Sequence, residues 1–190
     1  MRTKNTTERW GWLSRFLHWS IAALILFQLA LGLYMTDFVS DMTEQFDLFQ
    51  LHKSWGFVVF CLAVIRVSWR LFNRQTPHLP AGTAGWQRVA SHLSHGLLYL
   101  LILVMPLSGW VMSAASPTQD YLNIQNMVFG LFAMPDPWVP GVRSLSDAAG
   151  EVHEISAWIM LAILAIHVAA ALKHHLIDKD DVLRRMTWGR

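Results

Sequence analysis

The sequence predicts an all-α integral membrane protein, a four-helix bundle with both termini on the cytoplasmic side. The chain of 190 residues has a mean hydropathy of +0.33, is 54% hydrophobic and is only 15% charged, too apolar for a water-soluble domain of this length. Four apolar stretches, at about 13–35, 51–72, 92–113 and 153–176, each reach the roughly 20 helical residues that a bilayer core requires. The basic residues are unevenly placed: 13 of the 15 Lys and Arg lie around the start of the first stretch, around the connection between the second and third, or around and beyond the end of the fourth. Only Lys53 and Arg143 fall on the other side, so the positive-inside rule puts both ends of the chain in the cytoplasm. A water-soluble bundle would carry polar stripes along each helix, and "IAALILFQLALGLYM" has none.

The first span follows Arg2, Lys4, Arg9 and Arg15. It is too long for the apolar region of a signal peptide and is read as a retained helix. The loop after it, "TDFVSDMTEQFDLFQ", is short and acidic. The second span leads to "NRQTPHLPAGTAGWQ", whose Pro and Gly break helices and make a tight cytoplasmic connection. The third span contains Pro106, the one internal helix breaker. The longest loop, about 114–151, is apolar around "NMVFGLFAMPDPWVP" but interrupted by Gly130, Pro135, Pro137 and Pro140, so it cannot span. It is expected at the interface or folded over the helix ends, with Trp138 at headgroup depth. Most of the ten tryptophans sit near span ends, as in an aromatic belt. Cys61 is the single cysteine, which excludes an intramolecular disulfide and the Cys-x-x-Cys-His attachment of covalent haem. Residues 10–186 thus form one domain, with cytoplasmic tails at 1–9 and 187–190.

The nine histidines are not placed at random. His18 lies one turn inside the cytoplasmic end of the first span, His52 and His153 open the second and fourth spans on the outer side, and His167 lies in the inner half of the fourth. Fourteen residues separate His153 from His167, a helical rise of about 21 Å with a net rotation of only roughly 40°. Both imidazoles therefore face one way at two depths. His52 offers a partner at the outer level and His18 at the inner one, with His92 or His95 as a rival to His18. Facing imidazoles suit the two axial positions of a non-covalent, b-type haem, which also satisfies nitrogens that hydrocarbon would strand. A closed zinc site would want four ligands close together.

Arg66 and Arg70, at i and i+4 near the cytoplasmic end of the second span, are candidates to neutralise haem propionates. His174, seven residues beyond His167, lies about 20° from it around the helix and is a candidate for a propionate, a quinone headgroup or water. His78 and His175 read as surface residues.

The motifs "RFLHW", "LHKSWG", "SHLSHGLLYL", "VHE" and "IHVAAALKHH", taken in order, resemble the bacterial cytochrome b-561 family, related to the cytochrome b subunits of nickel-hydrogenases and formate dehydrogenases. The resemblance runs from about Trp10 to Met186. It implies a multi-pass protein of the bacterial cytoplasmic (inner) membrane holding two b haems, with His18 and His167 ligating the inner one and His52 and His153 the outer one. It also implies electron transfer linked to ubiquinone or another quinone, and in some members the oxidation of superoxide.

The outer surface carries nine acidic residues against Lys53 and Arg143, a field that repels a superoxide anion unless those two focus it locally. Two other roles remain open. One is a cytochrome b anchor subunit of a larger dehydrogenase, the other a haem-free proton or metal transporter, although the spans carry no Asp or Glu between their ends. A homodimer is allowed, though no patch marks a dimer face, and no nucleic-acid partner is expected.

Overall fold

The computed structural model describes residues 2–80, 82–136 and 141–188. The expected position of Trp138 lies outside the described residues. Four long helices dominate: α1 (Trp12–Asp37), α2 (Met42–Phe72), α3 (Gly85–Ala114) and α5 (Arg143–Leu176). All four are long and apolar enough to cross a membrane. A short α4 (Pro117–Tyr121) and an antiparallel ribbon of β1 (Met127–Val128) and β2 (Phe132–Ala133) lie between α3 and α5, and α6 (Val182–Thr187) follows α5.

Three helices begin earlier than their apolar runs suggest. Helix α2 starts at Met42 because Asp41 caps it, its carboxylate accepting from the N–H groups of Thr43 (3.0 Å) and Glu44 (2.8 Å). The acidic "TEQFDLFQ" is therefore helix and not loop. Helix α3 starts at Gly85 and α5 at Arg143, so His52 and His153 do not open their helices: each lies ten residues beyond the first helical residue. Apolarity marks the part of a helix that lipid touches, whereas the hydrogen-bonded ladder continues through polar turns until a cap or a breaker stops it.

The core is narrow. Ile21 and Ile25 of α1, Val59 and Ala63 of α2, Leu101 and Ile102 of α3 and Met160 of α5 form its buried cluster. Large apolar side chains point outward on every helix, including Leu26 (57% exposed), Ile65 (50%), Leu100 (56%) and Ile166 (60%). In water such a surface would aggregate; in hydrocarbon it costs nothing, which is the pattern of a lipid-facing bundle.

Helix α5 packs chiefly on α3, and α1 on α2, with α2 and α3 joining the two pairs. Helix α5 makes little direct backbone packing with α1 or α2. That stand-off is where the histidines meet.

Both ends of the bundle are closed. At the termini end, residues 2–9 fold back: the Asn5 side chain accepts from Gly11 N (2.9 Å) and Ser14 Oγ (2.7 Å) and donates to Gln75 O (3.1 Å). A Cβ on Gly11 would collide with the Thr3 carbonyl oxygen, so this crossing needs glycine. Arg15 Nη1 donates to Thr187 O (2.9 Å) and Trp19 Nε1 to Met186 O (3.0 Å), which ties α6 to α1.

At the opposite, loop end, the ribbon folds back on α2, where Ser54 Oγ accepts from Phe129 N (2.9 Å) and Phe129 packs edge-on against Trp55. Phe129 and Gly130 turn the ribbon at φ of 49° and 69°. Asn126, 4% exposed, is the knot of this loop: its side chain accepts from Ser113 Oγ (2.6 Å) and Lys53 Nζ (3.2 Å) and donates to Asp136 (2.8 Å).

Candidate functional site

Two histidine pairs stand in the gap beside α5. His18 of α1 faces His167 with ring centroids 6.2 Å apart and planes at 65°. His52 of α2 faces His153 at the same 6.2 Å, with planes at 80°. Helix geometry sets the two levels about 21 Å apart along α5.

The loop-end pair is held from behind. His153 Nδ1 donates to the Met105 carbonyl (2.9 Å), on the turn of α3 that Pro106 interrupts, with Ser108 Oγ 3.3 Å away. A Cβ on Gly109 would stand 3.1 Å from His153 Cε1, so glycine makes the space for the ring. Gly32 on α1 lies beside His52, where a Cβ would stand 3.6 Å from Cε1, an ordinary contact. Gln28 Nε2 donates to the His52 carbonyl (2.9 Å), while His52 Nδ1 is buried without a hydrogen-bond partner.

The termini-end pair has more neighbours. Arg66 Nη2 lies 3.3 Å from His18 Nδ1, its Cζ stands 5.4 Å from the Tyr99 ring centre, and its Nη1 is buried with no partner. His95 also reaches this level, 5.2 Å from His167. A buried guanidinium with an orphaned nitrogen wants an anion. Among the described residues no carboxylate forms an ion pair with Arg66.

The profile of a protein family described as prokaryotic cytochrome b561 matches residues 9–189. The chain belongs to that family. It is 36% identical over 186 residues to cytochrome b561 homolog 2 of Escherichia coli strain K12, covering 98% of this chain and 95% of the relative. It is 30% identical over 174 residues to cytochrome b562 of Cereibacter sphaeroides, covering 90% and 89%. It is 24% identical over 170 residues to a Yersinia pestis protein named probable superoxide oxidase CybB, covering 90% of each.

Membership of the prokaryotic cytochrome b561 family implies a b-type haem, and the residues present fit one. Two metal–imidazole bonds of about 2.0 Å, plus the distance from each ring nitrogen to its ring centre, require centroids about 6.3 Å apart. Both pairs stand at 6.2 Å. The orphaned, buried Arg66 nitrogen is placed to receive a carboxylate.

Other residues singled out from the sequence are placed as follows. Arg70 Nη1 donates to the carbonyls of Asn73 (3.4 Å) and Arg74 (3.0 Å), where α2 ends. Lys53 donates to the Asn126 side-chain amide at 3.2 Å, and the exposed Arg143 pairs with Asp147 at 3.5 Å. His174 Nδ1 lies 2.6 Å from Asp180 and 3.4 Å from Asp178, within a cluster that also includes Lys173. His92 is exposed, and among the described residues no ring contact brings it to either level. His175 departs from its expected place at the surface: it is half-buried, with Nδ1 enclosed and unpartnered. It sits two residues before the helix C-cap at Ile177. Gly109, Gly32 and Gln28 were missed in the sequence; an isolated Gly inside a span was the available signal for the first two.

Proposed function

We propose that this cytochrome carries electrons across the membrane through two b-type haems, one held by His18 and His167 and the other by His52 and His153. The observation that carries the reading is the equal 6.2 Å spacing of two pairs whose α5 members lie about 21 Å apart. Bound haem supplies one-electron redox chemistry; the chain supplies ligation, spacing and a low-dielectric surround. His153 is oriented through Nδ1 by the Met105 carbonyl, leaving Nε2 to ligate. Arg66 neutralises a propionate at the termini-end haem, with Arg70 at the membrane boundary as the second cation. His174 and its carboxylate partners stand beyond that haem, where a quinone headgroup would exchange electrons and protons.

Residues 10–186 form the dihaem unit, and the charge asymmetry supports a cytoplasmic placement of both termini in the bacterial inner membrane. Superoxide as the donor at the loop end is supported by the name of the Yersinia pestis relative and opposed by the nine acidic residues on that side.

Purified protein should give the reduced-minus-oxidised spectrum of a low-spin b cytochrome with about two haems per chain. A colourless protein after haem-replete expression would sink the reading and leave a transporter. Reduction of a quinone by the isolated chain supplied with superoxide would establish the enzyme, whereas co-purification with a soluble catalytic subunit would mark a relay.

A further inference from the structure

The termini-end level holds three histidines where the loop-end level holds two. His95 on α3 stands 5.2 Å from His167, with the rings nearly perpendicular at 88°. Its Nδ1 lies 2.6 Å from the Ser91 carbonyl oxygen. A carbonyl only accepts, so this contact assigns the proton to Nδ1 and leaves the lone pair on Nε2. An imidazole that donates one N–H to a backbone carbonyl has its other nitrogen ready for a metal, and His153 shows the same arrangement with Met105.

His18 shows the reverse. Its Nδ1 faces Arg66 Nη2 at 3.3 Å, and a guanidinium only donates, so Nδ1 accepts and the proton sits on Nε2. For His18 to offer Nε2 to iron, the proton must move to Nδ1 and Arg66 must turn away, because two donors cannot face each other at that distance. The ring spacing favours His18 and the hydrogen bonding favours His95.

We propose that His95 is an alternative axial partner for His167, taking the iron when Arg66 engages His18 and yielding it when Arg66 turns to a propionate. This rests on reading the His167 level as a haem site. His95 needs to move outward by about 1 Å to reach the spacing that two metal–imidazole bonds require. Arg66 is then the element that decides between the two histidines, because its guanidinium holds the His18 Nδ1 lone pair and must leave it before His18 can ligate.

The test is the low-spin haem signal, by absorption and electron paramagnetic resonance, of purified wild type, His18→Ala, His95→Ala and the double variant. The loop-end haem serves as an internal standard for folding. His18→Ala should keep both low-spin haems with a changed signal from one of them; His95→Ala should keep both; the double variant should lose roughly half of the low-spin signal. His18→Gln, which preserves volume, guards against a packing defect and should behave as His18→Ala does. Loss of the signal in His18→Ala and His18→Gln equal to that in the double variant would overturn the proposal and leave the two-haem reading intact. Fewer than two haems in the wild type would overturn both.

Discussion

Gly109 and His153 are fitted to one another: a Cβ on Gly109 would stand 3.1 Å from Cε1 and 3.2 Å from Nδ1 of the ring that donates to Met105. The absent side chain lets the imidazole approach α3 closely enough to reach the Met105 carbonyl. Gly109→Val should displace the ring and lower haem content to about one per chain, while Gly109→Ala should retain two. Alanine is a better helix former than glycine by about 1 kcal/mol, so a loss in the valine variant with a well-folded alanine variant isolates the steric cause. Haem-to-protein ratios of the two proteins decide it; two haems in Gly109→Val would refute the close fit.

His52→Ala and His153→Ala should each remove the loop-end haem alone. The pairs lie about 21 Å apart on α5 and share no side chain, so removal of one ligand leaves the other pair undisturbed. Haem quantitation should fall from about two to about one with the other low-spin signal unchanged. Equal loss of both haems from a folded bundle would contradict two independent levels.

Asn126 is where the long loop is fastened. Its side chain is the hydrogen-bond partner of Ser113, Lys53 and Asp136 at once, and it is 4% exposed. Asn126→Ala leaves an ammonium and a carboxylate without their bridging amide, at a cost of about 2–4 kcal/mol. The variant should lose thermal stability in detergent and become sensitive to protease within the loop, while the termini-end haem is retained. Wild-type stability in this variant would show that the loop is anchored elsewhere.

Arg66 puts a positive charge against His18, and its Nη1 has no partner. A cation near a haem favours the reduced state, so Arg66→Gln should lower the reduction potential of the termini-end haem and move the other less. A shift of about 59 mV corresponds to a tenfold change in a one-electron equilibrium, and tens of millivolts are expected. Redox titration resolves the two haems; equal shifts in both, or none, would remove Arg66 from the site.

Much of this architecture was legible in the chain itself because it rests on local periodicity. Four apolar runs of bilayer length specify four spans, and fourteen residues between His153 and His167 make nearly whole turns, so their common face follows from helix geometry alone. The starts of α2, α3 and α5 were not legible from apolarity: Asp41 carries α2 outward through polar residues because a backbone ladder needs hydrogen bonds, not hydrophobicity.

The tertiary structure alone brought His18 and His95 to the same histidine, 6.2 and 5.2 Å from His167, and set Arg66 against His18, whereas Ser91 meets His95 one turn away on its own helix. Sequence spacing fixes where a side chain lies around its own helix. The distance between two helices, and hence which nitrogen meets which donor, is settled by how small residues such as Gly109 and large ones such as Met160 fill the space between them.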